Sequence, residues 1–338
     1  DRVGNWHNAK VHAINPDGTF KWASPELESA SVTAPAVDKN GTIYVISHYT
    51  LYAINPMDGS FLWTWEVPDN LHFQISQLTL GDDGKIFCAT VGSGAYHRQI
   101  FAINSDGRKL WQHEVTSKIS GLTVGKEGTL FAYWNPKGNG HIFALNPESG
   151  NKIWSTDIEG YVNNRSSMAI APDGHLVVSQ SGPEKLLKLN AQNGEFIWQV
   201  DAPASYPAIS PNGHIYLMVR DLYSFNNNGG LNWKVENNTS SSPKRVSIDA
   251  EGKIYVDVSD HYGHGDFEVY YPDGTLKVAL PKNMNYGVAL GQNNVIYFIH
   301  KDGKTGILYA VQGDQPIAPS GWPRFKGGNK NSGNVSVK

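Results

Sequence analysis

Several features that would define the chemistry of this chain directly are scarce or missing. It contains one cysteine, Cys88, so no disulfide can form within the chain. No apolar run approaches the length needed to cross a membrane. Charged residues make up 17% of the chain and the net charge is −3, which disfavours a general nucleic-acid-binding surface. No segment sustains a helical apolar period over ten residues, so a helical fold is excluded.

The common catalytic motifs are absent as well. There is no Gly-x-Ser-x-Gly elbow, no Walker loop and no glycine fingerprint that opens a helix. Cys88 lies in the apolar run 86–89 and is predicted to be a small buried hydrophobe rather than a nucleophile. Twelve histidines are present, but none shows a standard metal-ligand spacing, so no metal site and no cofactor are predicted.

What the chain does contain is a repeat. The segments 53–63 and 144–154 share the pattern Ala-x-Asn-x-x-x-Gly-x-x-x-Trp, and eight copies of this phrase occur, the last of which decays after Leu308. The tryptophan or its replacement Val278 recurs every 35 to 48 residues. Self-similarity at such a period is typical of repeat folds.

A second phrase, a tight turn followed by Gly-x-Ile-Tyr or a similar run, occurs seven times out of step with the first. Its last copy begins with Asn294 in place of glycine, and asparagine tolerates the left-handed backbone that a turn requires. Together the two phrases give four short strands per repeat, bounded by Asn, Asp, Pro and Gly. Four-stranded units repeated along a chain predict a β-propeller.

The copy number predicts an eight-bladed, all-β propeller. Its last blade is expected to be closed by strands from both ends of the chain, with the C-terminal contribution near 333–337. Seven blades with an irregular N-terminal segment is the alternative. Because the repeat runs from end to end, residues 1–338 are predicted to form one propeller domain, which could be part of a longer protein.

The repeat resembles the tryptophan-docking motif of the pyrroloquinoline-quinone-like propellers. The resemblance covers nearly the whole chain and implies that one tryptophan per repeat packs between neighbouring blades. These structural tryptophans are Trp22, Trp63, Trp111, Trp154, Trp198 and Trp233. The family contains quinone-dependent dehydrogenases, which usually carry two adjacent cysteines and a calcium site, and non-catalytic propellers, which include a lipoprotein of outer-membrane protein assembly. With a single cysteine and a short chain, the resemblance favours a non-catalytic bacterial member.

Topology predicts where binding residues lie. In a four-stranded blade, the turns joining strands 1–2 and 3–4 lie on one face, and here they are short and uniform. The 2–3 loops and the connections between blades lie on the other face and vary, which is typical of binding surfaces on a rigid frame. The predicted binding residues on that face are Trp6, His7, His48, His72, Gln74, Arg98, Asn163, Arg165, Tyr206, Lys244, Arg245 and Tyr286. Gln180 and Trp134 are also predicted to lie in these loops.

The sequence therefore favours a non-catalytic binding or scaffold propeller of an exported bacterial protein, periplasmic or on the cell surface. Its expected partner is a protein, a peptide or an anionic glycan on the variable-loop face, and neither nucleic acid nor a membrane span is expected. The alternative is a carbohydrate-active enzyme similar to a polysaccharide lyase, in which His97, Tyr96, Tyr161 and Arg165 would supply acid, base and charge clamp. A quinone-dependent dehydrogenase is the third and less favoured class.

Overall fold

A computed structural model describes residues 9–29, 32–68, 72–91, 98–134, 139–160, 167–237, 244–258, 266–281, 284–290, 294–302 and 305–318. Across these ranges the chain forms strands and tight turns, without an α-helix. It divides into two compact units. The first contains the described residues of 1–136 and 143–153, and the second contains those of 137–142 and 154–329.

The strands form a short hairpin and seven successive antiparallel sheets. The hairpin pairs β1 (His12–Ile14) with β2 (Phe20–Ala23). Blade 1 contains β3 (Ala36–Val37), β4 (Ile43–Ser47), β5 (Thr50–Ile54) and β6 (Phe61–Glu66). Blade 2 contains β7 (His72–Leu80), β8 (Ile86–Val91), β9 (Arg98–Ile103) and β10 (Lys109–Val115). Blade 3 contains β11 (Ile119–Val124), β12 (Leu130–Trp134), β13 (Gly140–Leu145) and β14 (Lys152–Ile158).

Blades 4 to 6 repeat this pattern of four strands, and blade 7 has three strands within the described residues. Blade 4 contains β15 (Met168–Ile170), β16 (Leu176–Ser181), β17 (Glu184–Leu189) and β18 (Phe196–Asp201). Blade 5 contains β19 (Ala208–Ile209), β20 (Ile215–Met218), β21 (Leu222–Phe225) and β22 (Leu231–Val235). Blade 6 contains β23 (Val246–Ile248), β24 (Ile254–Asp257), β25 (Asp266–Tyr270) and β26 (Leu276–Pro281). Blade 7 contains β27 (Met284–Leu290), β28 (Val295–Asp302) and β29 (Thr305–Gln312).

The fold is a seven-bladed β-propeller, in which six blades have four strands and blade 7 has three within the described residues, so the prediction of eight blades is wrong and the seven-bladed alternative is confirmed. The first copy of the repeat, Ala13 to Trp22, forms only the two-stranded hairpin β1–β2. It therefore adds no four-stranded sheet. The number of blades equals the number of copies of the second phrase, Gly-x-Ile-Tyr, which occurs seven times. The predicted strand near 333–337 lies outside the described residues.

The turns explain why the repeat phrase is conserved from copy to copy along the chain. In blade 1 the Asn55 carbonyl accepts the amide of Gly59 at 2.9 Å, while the Asn55 side chain accepts the amide of Met57 at 3.0 Å. Gly59 adopts a φ of 79°, a left-handed conformation that costs glycine little. Asn294 adopts a φ of 61°, so the substitution of asparagine for glycine keeps the turn.

The core consists of the middle strands of each blade. In β5, Leu51 and Ala53 are fully buried and pack with residues of blade 2 such as Phe101 and Ile103. Ile54 is also fully buried but packs with Trp22 of the hairpin. Cys88 is fully buried in the cluster of Leu51 and Phe101, which confirms its prediction as a small core residue. Burial also raises the pKa of its thiol far above the usual range, because the thiolate would lose its hydration.

A tryptophan from each of six repeats docks onto the 3–4 turn of the next repeat. The indole N–H donates to a turn carbonyl at 2.8 to 3.0 Å. The pairs are Trp22 with Pro56, Trp63 with Ser105, Trp111 with Pro147, Trp154 with Ala191, Trp198 with Asn227 and Trp233 with Pro272. The ring lies flat against the glycine of that turn; a Cβ on Gly194, for example, would lie 2.5 Å from Cε3 of Trp154.

After blade 6 the docking tryptophan is replaced by Val278, which is 37% exposed. Ion pairs occupy the corresponding place: Asp314, beyond the end of β29, accepts both Lys277 and Lys253, the latter at 3.4 Å. The chain then returns to blade 6, where the amide of Ala318 donates to the carbonyl of Ile248 at 2.9 Å. Blades 6 and 7 therefore lack the indole contact, and these polar contacts supplement an apolar cluster that contains Phe267 of blade 6 and Leu290 of blade 7.

Candidate binding surface at the loop ends of the blades

Each blade has two chemically different ends. The turn end carries the 1–2 and 3–4 turns, and the docking tryptophan of the preceding repeat covers the latter. The loop end carries the 2–3 loop and the connections to neighbouring blades. There, backbone hydrogen bonds join loop to connection: the amide of Val67 donates to Tyr49 at 3.1 Å, and that of Lys244 donates to Met218 at 2.8 Å. Backbone hydrogen bonds therefore hold these loop ends in place, and the docking tryptophans do not cover them.

Buried serine hydroxyls bond to the connections at the loop ends and fix their position. Ser47, at the end of β4, is fully buried, accepts the amide of Ser29 at 3.0 Å and donates to the Ser29 carbonyl at 3.1 Å. Ser179 of β16 accepts the amide of Ser205 at 2.9 Å, and the Ser205 hydroxyl donates to the Met218 carbonyl at 2.7 Å. Because these partners are buried and paired, the connections are fixed rather than free.

Three loop segments of the second unit meet at the Met218 carbonyl. The connection 202–207 reaches it through Ser205, the 2–3 loop of blade 5 follows directly after it, and Lys244 reaches it through its backbone amide. This arrangement brings four side chains onto neighbouring segments, which we call the basic loop patch: Tyr206, Arg220, Lys244 and Arg245. The guanidinium of Arg245 lies over the ring of Tyr206, 5.7 Å from its centroid, within the range of a cation–π contact.

The exposed charge of this patch is positive. The segments 202–207 and 238–243 contain no charged residue, and the only carboxylate of the 2–3 loop is Asp221. Asp221 is buried and bonded to Lys234 at 3.0 Å and to the amide of Asn237 at 3.2 Å. Burial opposes the ionisation of Asp221, but these donors outweigh it and hold the pKa of its carboxyl below the usual range. Asp221 is therefore an ionised group whose charge interacts with Lys234 and also with Arg220. The side chains of Arg220 and Arg245 are exposed.

Two other predicted binding residues, both in the first unit, have described side-chain contacts. His48 forms the tip of the β4–β5 hairpin with a φ of 55°, is exposed, and contacts the ring of Tyr49 at 3.6 Å between centroids. Arg98 was predicted in a loop but begins β9, and its guanidinium donates to the Thr116 carbonyl at 3.2 Å. Its side chain therefore braces the connection that leaves blade 2.

Several residues predicted in loops or connections lie in strands instead. Gln180 belongs to β16, is 1% exposed and donates to the carbonyl of Glu159, so it is a structural residue. Trp134 ends β12 and packs 5.1 Å from Phe143. His72 and Gln74 lie in β7, and Tyr286 lies in β27. The runs look like loops because polar residues interrupt their apolar pattern, but the strands of blades 2 and 7 extend further than that pattern predicts.

The other predicted site residues lie outside the described residues: Trp6, His7, Tyr96, His97, Tyr161, Asn163 and Arg165. The proposed lyase residues are all in this group, so the structure gives that reaction no geometry. Within the ranges that the structure does describe, no group of three or more His, Cys, Asp or Glu could hold a metal ion. In the same ranges there is no helix of sufficient length and apolarity to span a membrane.

The sequence prediction missed the residues that fix the loops. Ser47, Ser179 and Ser205 do not point to a ligand, but they determine where Tyr206 and Lys244 lie. A signal for two of them was present, because Ser47 and Ser179 each follow an apolar run at the end of a predicted strand. A hydroxyl in such a position requires a buried partner.

Comparison with known proteins gives one family. A family model described as outer membrane protein assembly factor BamB matches residues 7–124 and 97–231. The BamB of Nitrosomonas eutropha is 28% identical over 167 residues, which are 49% of this chain and 35% of that protein. The BamB of Moranella endobia is 25% identical over 241 residues, which are 67% of this chain and 57% of that protein. The matches thus span about a third and somewhat over half of these two curated relatives.

Solved structures support the fold. The crystal structure of BamB from Moraxella catarrhalis superposes with a TM-score of 0.63 at 15% sequence identity, covering 89% of this chain and 88% of that one. At this identity the similarity concerns the arrangement of the blades and not their binding residues.

Proposed function

Because this chain belongs to the outer membrane protein assembly factor BamB family of pyrroloquinoline-quinone-like propellers, we propose that it is a non-catalytic scaffold in outer membrane protein assembly. Its partner is a protein, and it acts on the periplasmic side of the outer membrane. The names of the relatives support the proposed process, which is outer membrane protein assembly. The loop ends of the blades are the surface that we propose binds the partner.

The observation that carries this proposal is the unequal use of the two blade ends. The turn ends carry the repeated tryptophan contacts, as for Trp63 on the turn of blade 2 and Trp154 on the turn of blade 4. They serve the internal cohesion of the repeat. The loop ends differ from blade to blade, are braced by buried serines, and carry exposed polar side chains such as His48 and Arg245. A rigid frame with variable loops is suited to holding a partner.

Deletion of the gene in its host tests the process. We expect less folded outer-membrane β-barrel protein, measured by heat-modifiable migration in gels, and restoration by the full chain. Unchanged amounts of several such proteins in the deletion strain would contradict the assignment to outer membrane assembly.

Site-specific photo-crosslinking tests the surface. A photoreactive residue at position 48 or 245 should give a defined cross-linked protein in cells. The same residue at position 39 or 108 should not, since Lys39 and Arg108 lie in exposed turns at the turn ends of blades 1 and 2. Equal cross-linking from both sets of positions would reject the loop ends as the binding surface.

A further inference from the structure

We infer that the outer edge of blade 7 binds an extended segment of the partner protein, which pairs with β29 as a fourth strand of that blade. The inference rests on the proposed function for the class of its partner, a protein. The site lies in the second unit and uses the edge of a sheet rather than the loop ends of the blades.

Blade 7 differs from the other blades at its third strand. In blades 1 to 6 the third strand lies between the second and the fourth, whereas β29 pairs only with β28 within the described ranges. Ala53, in the third strand of blade 1, is fully buried, but the corresponding Ala310 of β29 is exposed. Ile307, Leu308 and Val311 are each at least 40% exposed. Because successive side chains of a strand point to opposite faces, apolar groups are accessible on both faces of β29.

The backbone of β29 offers hydrogen bonds along this edge. The amide of Gly313 donates to the Asn294 carbonyl, and the register of β29 with β28 continues from there without a shift. Alternate residues of a strand direct their N–H and C=O groups to opposite sides, so Leu308 and Ala310 direct theirs away from β28. A row of donors and acceptors at strand spacing is complementary to an extended polypeptide.

The outer edges of the other blades carry features that block such pairing. Each of the fourth strands β6, β10, β14, β18, β22 and β26 contains a charged residue. A register shift also interrupts the pairing of β6, β10, β18, β22 and β26 with their third strands. Residues 305–312 contain neither a charge nor a proline, and their pairing with β28 has no shift. Since charges, prolines and bulges keep sheet edges from pairing with other chains, β29 remains competent to pair.

The register of the blades predicts one residue of the bound segment. In blade 1, Tyr44 of the second strand pairs with Ala53 of the third, which pairs with Trp63 of the fourth. The rings of Tyr44 and Trp63 lie 5.9 Å apart, across the small side chain between them. The corresponding pair in blade 7 is Tyr297 with Ala310. A segment antiparallel to β29 should therefore place an aromatic residue opposite Ala310.

A flexible segment fits this edge better than a second copy of the chain does. The strand β29 has eight residues, whereas a stable dimer interface takes about 20–30 residues from each side. Strand addition does not need such an area, because main-chain hydrogen bonds give the affinity and alternate side chains give the specificity. A second copy, or a segment of the same chain on this edge, is an outcome of the test.

The experiment uses the full chain and a labelled peptide with the sequence of residues 58–66, which includes the fourth strand of blade 1. One control peptide is N-methylated at alternate residues, so it keeps the side chains but loses half of the backbone donors. A second control peptide has alanine in place of Trp63. The protein variants are Leu308→Lys on the edge and Leu62→Lys on β6, which both replace an exposed leucine on the outermost described strand of a blade. Binding is measured by fluorescence anisotropy, and circular dichroism confirms that each variant is folded.

The wild type should bind the peptide, and the amides of Leu308 and Ala310 should be protected from hydrogen exchange only in its presence. Both control peptides should bind about tenfold more weakly or less, and Leu308→Lys should weaken binding about tenfold because a lysine blunts the edge. Leu62→Lys should bind as the wild type does. Equal binding of the N-methylated peptide, or equal binding by the two variants, would overturn the inference.

Protection of both amides in the chain without peptide would also overturn it. Protection that depends on protein concentration would assign the edge to a second copy of the chain. Protection in a monomer would assign the edge to another segment of the same chain. Size-exclusion chromatography at several concentrations distinguishes these two results.

Photo-crosslinking in cells separates this inference from the proposed function. A photoreactive residue at position 308 should give a cross-linked protein, and the same residue at position 62 should not. If position 48 gives a partner and position 308 gives none, the strand-addition inference fails and the scaffold function stands. If position 48 gives no partner and the deletion strain is normal, the scaffold function itself fails.

Discussion

The docking of Trp154 on the turn of blade 4 allows a direct test of how much the tryptophan contacts stabilise the fold. Trp154 is 9% exposed, and its indole N–H donates to the Ala191 carbonyl at 3.0 Å. We expect Trp154→Ala to lower the free energy of unfolding by about 3–5 kcal/mol, the usual cost of removing a large aromatic from a core. Trp154→Phe keeps an apolar ring but loses the donor, so it should cost less, with about 1 kcal/mol due to the hydrogen bond.

The glycine under the ring separates steric docking from backbone strain. Gly194 has a φ of 75°, and a Cβ there would lie 2.5 Å from both Cε3 of Trp154 and Oγ1 of Thr156. Gly18 has a φ of 84° in the corresponding turn of the N-terminal hairpin, but a Cβ there meets nothing within 4 Å. Gly18→Ala should therefore cost only the left-handed conformation, about 1–2 kcal/mol. Gly194→Ala should cost clearly more.

The assay is urea unfolding followed by circular dichroism, with hydrogen exchange at the Ala191 turn as a local probe. A double-mutant cycle of Trp154→Ala with Gly194→Ala should show coupling, because the first substitution removes the clash of the new Cβ with the ring and leaves only the one with Thr156. Suppose that Gly194→Ala lowers the free energy of unfolding no more than Gly18→Ala does, and that the cycle is additive. The docking of the indole ring would then not require a glycine at position 194. The docking argument would then be refuted.

Other predictions concern buried polar groups. Lys188 occupies a position where most other repeats have alanine. It is 2% exposed, and its ammonium bonds to Asp173 and to the Asn227 side chain at 2.6 Å each. Lys188→Ala should lower the free energy of unfolding by about 1–3 kcal/mol, which is less than the loss of a fully buried pair because Asp173 is partly solvated. In the same urea titration, Lys39→Ala should leave the free energy of unfolding nearly unchanged. Burial opposes the ionisation of Asp173, but Lys188 and Asn227 outweigh it and lower its pKa below 3.8. The stability that this pair provides is therefore present above that pH and lost on acidification, and the loss between pH 7 and pH 3 should be smaller in Lys188→Ala. Burial lowers the pKa of His113 below 6.5, so stability should rise with pH through that region, and His113→Phe should flatten the rise. Cys88 should react with a thiol reagent only when the chain unfolds; reaction at the rate of a free thiol in the native protein would contradict its burial.

The sequence alone determined the repeat, the strand composition of each blade and the roles of the turn residues. These properties are local: a glycine at a positive φ, an asparagine that bonds its own turn, and an alternating apolar run are each decided by neighbours in the chain. Gly59 and Asn294 therefore behave as their positions predict. The burial of Cys88 follows from the same apolar pattern.

Only the tertiary structure decided the number of blades and the make-up of the candidate site. The copy of the repeat at Ala13 to Trp22 has the same local signals as the others, but a blade requires pairing with strands that local signals do not specify. Gln180 and Arg98 have the polarity of loop residues, yet the register of β16 and β9 turns them toward backbone carbonyls. The repeat topology predicted Tyr206, Lys244 and Arg245 on one face, but it did not predict that their segments are joined at the Met218 carbonyl. Such contacts arise from packing between strands and loops, and no periodicity in the chain encodes them.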